Sequence, residues 1–430
     1  MPLTIAGPPA PIGAVEFAGL LESLGPFEPE PGLAVAVSGG ADSLATAVLV
    51  ADWVRARGGT ILALVVDHGL RLESADEAAA TLRRLAGLGI AGHLIELPGL
   101  AAGAGLAARA RSARHDALEA ACRAHGILHL VFGHHAGDQA ETIAMRMLAQ
   151  SGADGLAGMA AIVETRDLRR LRPLLAMPKA RLIATLQQLG IAWVEDPSNR
   201  NPNAQRVRLR DLRRDPNGCG LATRALVAAS LARGADRAAQ EAAVAEELAA
   251  RAALYPQGFA VLSPGPISPQ ALARLIAMTG GAGFSPAHDR LAALAAAPRP
   301  ATIAGVRLAP AGRLGPGLLV LREFAAIAAP IPADPAQIWD HRFRMVTAAP
   351  AGGMIGAWGA DAVSTRTGLP MLICRTLPVL RCNGVVITAT PALCRDFEFC
   401  PPLQAGPAPF FPLPGLAGKR QDSPIQGDAL

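Results

Sequence analysis

A short apolar run that breaks into a glycine turn and then into a helix constrains this chain more than any other stretch. Leu33–Val48 reads LAVAVSGGADSLATAV. Leu33–Val37 has the look of a buried strand. Ser38-Gly39-Gly40-Ala41-Asp42-Ser43 is a tight turn, and the Ala/Leu/Val spacing from Leu44 onward is helical. Gly39 and Gly40 lack a Cβ, so the backbone there can take positive φ and come close to a ligand. The turn amides and the free amides of the new helix then converge on one point, where the helix dipole favours an anion. Ser38 and Ser43 add hydroxyl donors, and a phosphate fits. Asp42 would repel that phosphate unless it holds Mg²⁺, which takes hard oxygen ligands and shares them with substrate phosphates. The plainer alternative is a glycine turn with an Asp or Ser cap. No Gly-Lys-Ser/Thr follows, and the chain's only lysines are Lys179 and Lys419, so the turn is neither a Walker A loop nor G-x-G-x-x-G.

Around this turn the chain alternates. Strands are expected at Leu33–Val37, Thr60–Val66, His93–Leu97 and Ile127–Phe132. Helices are expected at Ser43–Arg57, Ser74–Leu88, Leu106–His125 and Asp138–Leu148, with a possible earlier one at Ala14–Leu24. Apolar strands separated by helices argue for an α/β fold, a doubly wound parallel sheet covered on both faces. Ligands in such sheets sit beyond the carboxyl ends of the strands. Polar residues fall there three times, at Ser38–Ser43, at Asp67-His68-Gly69 and at His134-His135, which predicts one site lined by all three loops.

Two further clusters carry charge. Arg111 and Arg114 are three apart and share a helix face, either as phosphate ligands or as a solvated basic face. Asp138 and Glu141 are also three apart, at the start of a helix. They are either a pair of carboxylates aimed at one ligand or an ordinary N-terminal capping pattern. His134 and His135 could suggest a metal pair, but neighbouring residues at a strand end point to opposite faces.

Ser38–Ser43 resembles the SGGxDS signature of the PP-loop ATP pyrophosphatases, and the later segments resemble one branch of them. Val65–Arg71, VVDHGLR, is similar to the VDHGLR segment of the tRNA(Ile)-lysidine synthetases. Ala110–His115 resembles their A-R-x-x-R-Y, with His115 in place of the usual Tyr. Gly133–Thr142 resembles GHHxxDQxET, with Gly137 where many members have a second Asp. Ser151–Met159 resembles their glycine-rich loop, although Ala149 and Gln150 replace the usual R-G before it. Trp193–Asn199 resembles w-x-E-D-P-S-N. Arg206–Arg210 stands where the family has R-N-x-I-R, with Val207 for the Asn. The likeness runs over about Pro31–Arg210, half of the chain.

The resemblance implies a two-step ligation that needs ATP and Mg²⁺. ATP adenylates the C2 oxygen of the wobble cytidine of tRNA(Ile) with a CAU anticodon, and L-lysine then displaces AMP. By the same resemblance Ser38, Gly39, Gly40, Ala41, Asp42, Ser43, Val66, Asp67 and His68 bind ATP, with Asp42 on the metal. Asp138 and Glu141 seat lysine. Arg111, Arg114, Arg206 and Arg210 meet phosphates of ATP or tRNA. Asp42, Asp138 and Glu141 form the catalytic set. Arg213 and Arg214 are expected on a solvated face, and Gly137 is given no role.

Composition sets the frame. A chain of 430 residues suggests two or three domains. Those expected here are a catalytic domain at 1–216, a helical tRNA-binding middle at 217–330 and a small α+β or β-rich domain at 331–430, with the tail 418–430 disordered. The net charge of +5 is carried almost wholly by arginine, which suits phosphate contacts. None of the six cysteines forms C-x-x-C, so free thiols in a cytoplasmic protein are expected. The N-terminus lacks the form of a signal peptide, no stretch suits a membrane span, and a homodimer is compatible with the sequence. Two rival functions remain at this point. A PP-loop tRNA thiolase would need reactive cysteines, and Cys122 is the only one before Cys219. A non-catalytic nucleotide or RNA binder would not need Asp42, Asp138 and Glu141 together.

Overall fold

The computed structural model describes residues 9–67, 74–97, 106–165, 167–194, 205–281, 288–335, 337–364, 368–388 and 395–401. His68 and 195–199, both of interest in the sequence, lie outside the described residues, as does the tail 418–430. The chain packs as two units, Met1–Ala238 and Ala239–Leu430.

The first unit opens with helix α1 (Ala14–Glu22), strand β1 (Gly32–Val37) and helix α2 (Ala41–Arg55). Next come β2 (Thr60–Asp67), α3 (Ser74–Gly87), β3 (Ala91–Glu96), α4 (Leu106–Ala124), β4 (His129–Phe132) and α5 (Ala136–Leu148). It continues with α6 (Ala153–Leu156), β5 (Ile162–Glu164), β6 (Arg169–Leu171), α7 (Lys179–Gln188) and α8 (Gln205–Arg213). Its sheet has the order β3-β2-β1-β4-β6-β5. All pairings are parallel except that of β5 with β6. The chain builds outward from β1 to β3 and then returns to lay β4 on the other side of β1. That reversal opens a crevice at the carboxyl ends of β1 and β4. The register carries Ala36 beside Phe132, so the turns that follow, Ser38–Ser43 and Gly133–Asp138, emerge side by side.

Alternation along β1 explains why both of its faces are apolar. Leu33, Val35 and Val37 face α1, α2, α3 and α7, while Ala34 and Ala36 face α4 through Leu118 and Cys122. Each fully buried leucine or valine is worth about 2 kcal/mol, and α2 alone buries eleven of its fifteen residues. The turn after β1 therefore sits on the most firmly anchored part of the unit. β5 and β6 have no counterpart among the expected elements. They are three residues each, and the sequence of β6, Arg-Arg-Leu, carries no apolar period to read.

The second unit is richer in strands than expected of a helical middle. A long helix, α9 (Leu221–Arg251), leads into it. Then follow β7 (Ala252–Tyr255), β8 (Phe259–Leu262), α10 (Pro269–Gly280), α11 (His288–Ala296), β9 (Ala301–Ile303), β10 (Val306–Pro310) and β11 (Leu318–Arg322). Their five strands form one antiparallel sheet, β7-β8-β11-β10-β9. Val306–Leu321, whose frequent Gly and Pro read as hairpin strands, forms the β10–β11 pair. Ala325–Pro335, which reads as a linker, instead contributes β12 (Ile331–Pro332) to a sheet with residues 354–357. Proline and alanine hide this strand, because only one of its two residues can donate to a ladder. Trp339 and Phe343 are buried, and Asp340 is held by Arg322 and Arg342, so the segment Trp339–Phe343 is a structural knot. Among the described residues no helix is long and apolar enough to cross a membrane.

Candidate active site

The turn after β1 is closed by its own serines. The Ser38 backbone N–H donates to Ser43 Oγ at 3.1 Å, and Ser43 Oγ donates to the Gly40 carbonyl at 3.1 Å. Gly39 has φ +82°, and a Cβ there would lie 2.5 Å from Thr81 Oγ1, so a side chain is excluded by both strain and space. The Val194 N–H donates to the Gly39 carbonyl at 3.1 Å and pins the turn from outside. No side chain caps α2, so the first-turn amides of Ala41, Asp42 and Ser43 have no acceptor within the helix. The turn thus leaves the amides of Ala41, Asp42 and Ser43 free at the start of α2, where a helix dipole favours an anion.

The turn after β4 meets it through one imidazole. His135 caps α5. Its Nδ1 accepts the Gly137 N–H at 3.0 Å, while Asp138 Oδ2 accepts the His135 N–H at 3.1 Å. That cap leaves Nε2 as the protonated nitrogen. Nε2 stands 3.6 Å from Asp42 Oδ2 and 3.6 Å from Asp138 Oδ2. Burial alone would lower the His135 pKa, but Asp138 and Asp42 together raise it. Lys179, at the start of α7, places Nζ 3.2 Å from Asp42 Oδ2. Burial pushes the Asp42 carboxyl up, and His135 and Lys179 more than offset it, holding it below the usual carboxylate range. The remaining Asp42 oxygen, Oδ1, is buried without a partner. The glycine turn and the acidic helix start therefore stand side by side.

Asp138 and Glu141 part company within that site. Asp138 is 18% exposed at the side chain and faces His135. Glu141 is 1% exposed, and both of its oxygens are taken. Arg210 donates to them at 2.9 and 3.3 Å, and Arg213 donates at 3.4 Å. Arg213 also donates to the Gly137 carbonyl at 3.2 Å. It is therefore a member of the site rather than of a solvated face, because α8 packs on α5 with Val207 buried between them. Val207 in place of the resembled Asn is explained by that burial.

Of the other expected residues, Arg111 lies within electrostatic range of Asp138 and Arg206, and Arg114 within range of Arg111. Val66 pairs with Ile95 near the end of β2. Asp67 closes β2, and its Oδ1 accepts the Ser74 hydroxyl at 2.6 Å, tying it to the start of α3. A Cβ on Gly137 would lie 2.7 Å from His135 Cε1, so a side chain there would disturb the cap. Gln150 has φ +52°, the left-handed conformation that suits the glycine of the resembled R-G. The loop over Ser151–Met159 is fastened at several points. Arg146 donates to the carbonyls of Gly155 and Gly158, both at 2.7 Å, and Gln139 donates to that of Met159 at 3.0 Å. Cys122 is buried, and burial pushes its thiol up to about 12, leaving it unreactive.

Sequence reasoning missed Lys179 and Arg213 as members of the site. The signal for Lys179 was present: in an arginine-rich chain one of only two lysines opens a helix behind the Arg172-Pro173 segment.

The residues present fit a magnesium ion. Asp42 offers an orphaned buried oxygen beside the anion cradle. Among the described residues no group of three or more His, Cys, Asp or Glu is arranged to hold a metal by itself. Mg²⁺ takes one or two carboxylates and completes its shell with phosphates and water.

A glycine cradle between a parallel strand and a helix, set where the strand order reverses, defines a PP-loop protein, and residues 14–213 match the family ATP_bind_3, described as a PP-loop domain. Over 204 residues the chain is 44% identical to the tRNA(Ile)-lysidine synthase of Bradyrhizobium sp. strain BTAi1, covering 47% of this chain and 56% of that protein. It is 31% identical over 359 residues to the tRNA(Ile)-lysidine synthase of Ruegeria pomeroyi, covering 81% of this chain and 84% of that protein. The chain belongs to the tRNA(Ile)-lysidine synthase family. It spans only about half the length, 56%, of the Bradyrhizobium relative. Among solved structures, a U34-tRNA thiolase, NcsA from Methanococcus maripaludis, aligns at a TM-score of 0.43 and 17% identity over 51% of this chain and 79% of that one.

Proposed function

We propose that this protein ligates L-lysine to C2 of the wobble cytidine of tRNA(Ile) bearing a CAU anticodon, in the cytoplasm, at the expense of ATP. In the first step the C2 oxygen of cytidine attacks the α-phosphorus of ATP. An O–P bond forms, and the bond to diphosphate breaks. In the second step an amine of lysine attacks C2, a C–N bond forms, and AMP leaves with the C–O electron pair. Both steps need an electrophile held in line with a nucleophile and neutralised phosphate charge.

The observation that carries this reading is the single imidazole of His135, 3.6 Å from Asp42 on one side and from Asp138 on the other. It makes the phosphate cradle and the acidic helix start walls of one reaction space. Ser38, Gly39, Gly40, Ala41 and Ser43 hold the diphosphate end of ATP, while Val66 and Asp67 line the adenine side. Asp42, through Oδ1, would hold Mg²⁺, which when bound neutralises phosphate charge. Lys179 and His135 orient Asp42. Asp138 receives the lysine ammonium, helped by Glu141 once Arg210 turns to a phosphate. Asp138 is also the group placed to take the amine proton as attack begins. Arg111, Arg114 and Arg206 meet RNA phosphates. The cytidine must leave its stack to enter. The parts at 217–330 and 331–430 hold tRNA.

The test is diphosphate release and incorporation of labelled lysine by the full chain. Incorporation that requires ATP, tRNA and lysine together is expected. Diphosphate release driven by a sulfur donor in place of lysine would favour a thiolase, and no release at all would favour a binding module.

A further inference from the structure

Beside the cleft lies a concentration of positive charge that the reaction as described does not use in full. Arg111 and Arg114 on α4, Arg170 at β6, Arg172 just beyond it and Arg206 on α8 form one connected electrostatic cluster. Among the described residues the carboxylates felt there are Glu119, which pairs with Arg170, and Asp138, which is shared with His135. Five guanidiniums therefore stand against two acids.

Arg172 is the member least accounted for. It is buried, yet among the described residues its side chain makes one hydrogen bond, from Nη1 to the Ala160 carbonyl at 2.8 Å. Its Nε is sealed in without a partner, while Nη2 is neither sealed off nor hydrogen-bonded. The guanidinium lies 5.6 Å from the centroid of Phe132, which fixes its plane. Burial, Arg170 and Arg111 push it down to about 10, so it stays charged at neutral pH. A cation in this position is poorly compensated by its neighbours, and an anion would supply what they lack.

The same wall carries two flat uncharged rings. His115 and His134 pack against Phe132 at 5.4 and 5.7 Å between centroids. Burial and the surrounding arginines hold them at about 4 and about 3, so both are neutral imidazoles at physiological pH. Each keeps a buried Nδ1 without a partner. Guanidiniums beside neutral rings are the two halves of single-stranded RNA recognition, phosphate contact and base stacking. The order of the groups also matters. Asp42 reaches His135, His135 reaches Asp138, and Asp138 lies within electrostatic range of Arg111, so the cluster adjoins the acidic group.

We propose that Arg172, with Arg170 beside it, forms the floor of an anion pocket that takes a backbone phosphate of the RNA next to the reacting nucleotide. This rests on the lysidine-synthase reading above and adds a residue to its RNA side. The pocket serves RNA rather than ATP, whose phosphates have the cradle at Ser38–Ser43.

The first arm of the test measures tRNA binding by the full chain across a salt series. Arg172→Gln is expected to weaken binding about tenfold and to reduce the slope of log K against log salt by about one. ATP binding measured by calorimetry without tRNA should be unchanged. A merely structural role would not change that slope, and Arg172→Lys should restore it while leaving affinity below wild type. Loss of ATP affinity with unchanged tRNA affinity would overturn the proposal and assign the pocket to the nucleotide.

Arg172→Gln loses the bond to Ala160, so a second arm uses the wild-type protein. An anticodon stem-loop carrying a neutral methylphosphonate at either phosphate flanking the wobble position should bind about tenfold more weakly at one of the two. No loss at either phosphate would refute the pocket. Lysine-dependent turnover of wild type is recorded alongside. Its presence together with a failed pocket test removes only this inference, whereas its absence removes the functional reading itself.

Discussion

Asp42 and Glu141 each face two nitrogen-bearing side chains, and the two ends of the site use that arrangement to opposite effect. Asp42 shares one oxygen between Lys179 at 3.2 Å and His135 at 3.6 Å and leaves the other, buried, with nothing bound to it. Glu141 spends both oxygens on Arg210 and Arg213. The first is a carboxylate with capacity for a ligand. The second is a latch that fastens α8 to α5, and it gains capacity only if Arg210 leaves. The difference lies in the scaffold. Asp42 sits in the first turn of α2, where a strand end and free amides keep the space open. Glu141 sits one turn into α5, where α8 lies across it.

Breaking the open end is expected to cost most. Asp42→Asn keeps the shape of the side chain and removes the charge that would hold the metal, and diphosphate release should fall by about 10³, the scale of losing a major electrostatic contributor to the transition state. The measurement is release under single-turnover conditions with saturating ATP, tRNA and lysine. A variant within tenfold of wild type would remove Asp42 from the chemistry and leave it a structural partner of Lys179.

The closed end should break as a fold contact first. Glu141→Gln leaves Arg210 and Arg213 facing each other without their shared carboxylate. Fully buried pairs lose roughly 3–5 kcal/mol on such a change, and the 32% exposure of Arg210 reduces the expected loss to about 2 kcal/mol. Chemical denaturation of the full chain reads this directly. If stability is unchanged and only the KM for lysine rises, Glu141 is a substrate ligand and the latch described here is wrong.

How much of this was legible beforehand depended on how local the signal was. The turn at Ser38–Ser43 and the strand–helix alternation are written in adjacent residues, and both were readable at nearly their true bounds. That Asp138 faces the cleft while Glu141 is locked away was not readable, although both come from one motif. Their fates differ because α8, more than sixty residues later, covers one and not the other. Arg213 was misjudged for the same reason: its polar sequence neighbours suggest solvent, and only packing shows Val207 turned inward and Arg213 bonded to Glu141. Lys179 and Arg172 belong to segments whose position depends on β6, and that three-residue strand of Arg-Arg-Leu has no apolar pattern to announce it. In the second unit β7, β8 and β9 were not legible, because strands of three or four residues beside alanine-rich helices leave little periodicity.

Lys179 sharpens the comparison at the open end, with the smallest expected effect. Lys179→Met removes one of the two groups that hold the Asp42 carboxyl below its usual range, while His135 remains. The sign follows from that depression. A carboxyl whose folded pKa lies below its ordinary value of 3.8 contributes stability that is fully present above that value and is lost as pH falls through the folded pKa. Without Lys179 the folded pKa moves up, so the contribution is smaller and its loss on acidification begins at a higher pH. The acid limb of diphosphate release should move the same way. At neutral pH the ion pair is partly exposed and worth no more than about 1 kcal/mol, so activity should fall only about fivefold. An acid limb that stays in place would mean that His135 alone sets the charge of Asp42. A shift toward lower pH would contradict the arrangement, because removing a cation cannot make an adjacent carboxyl more acidic.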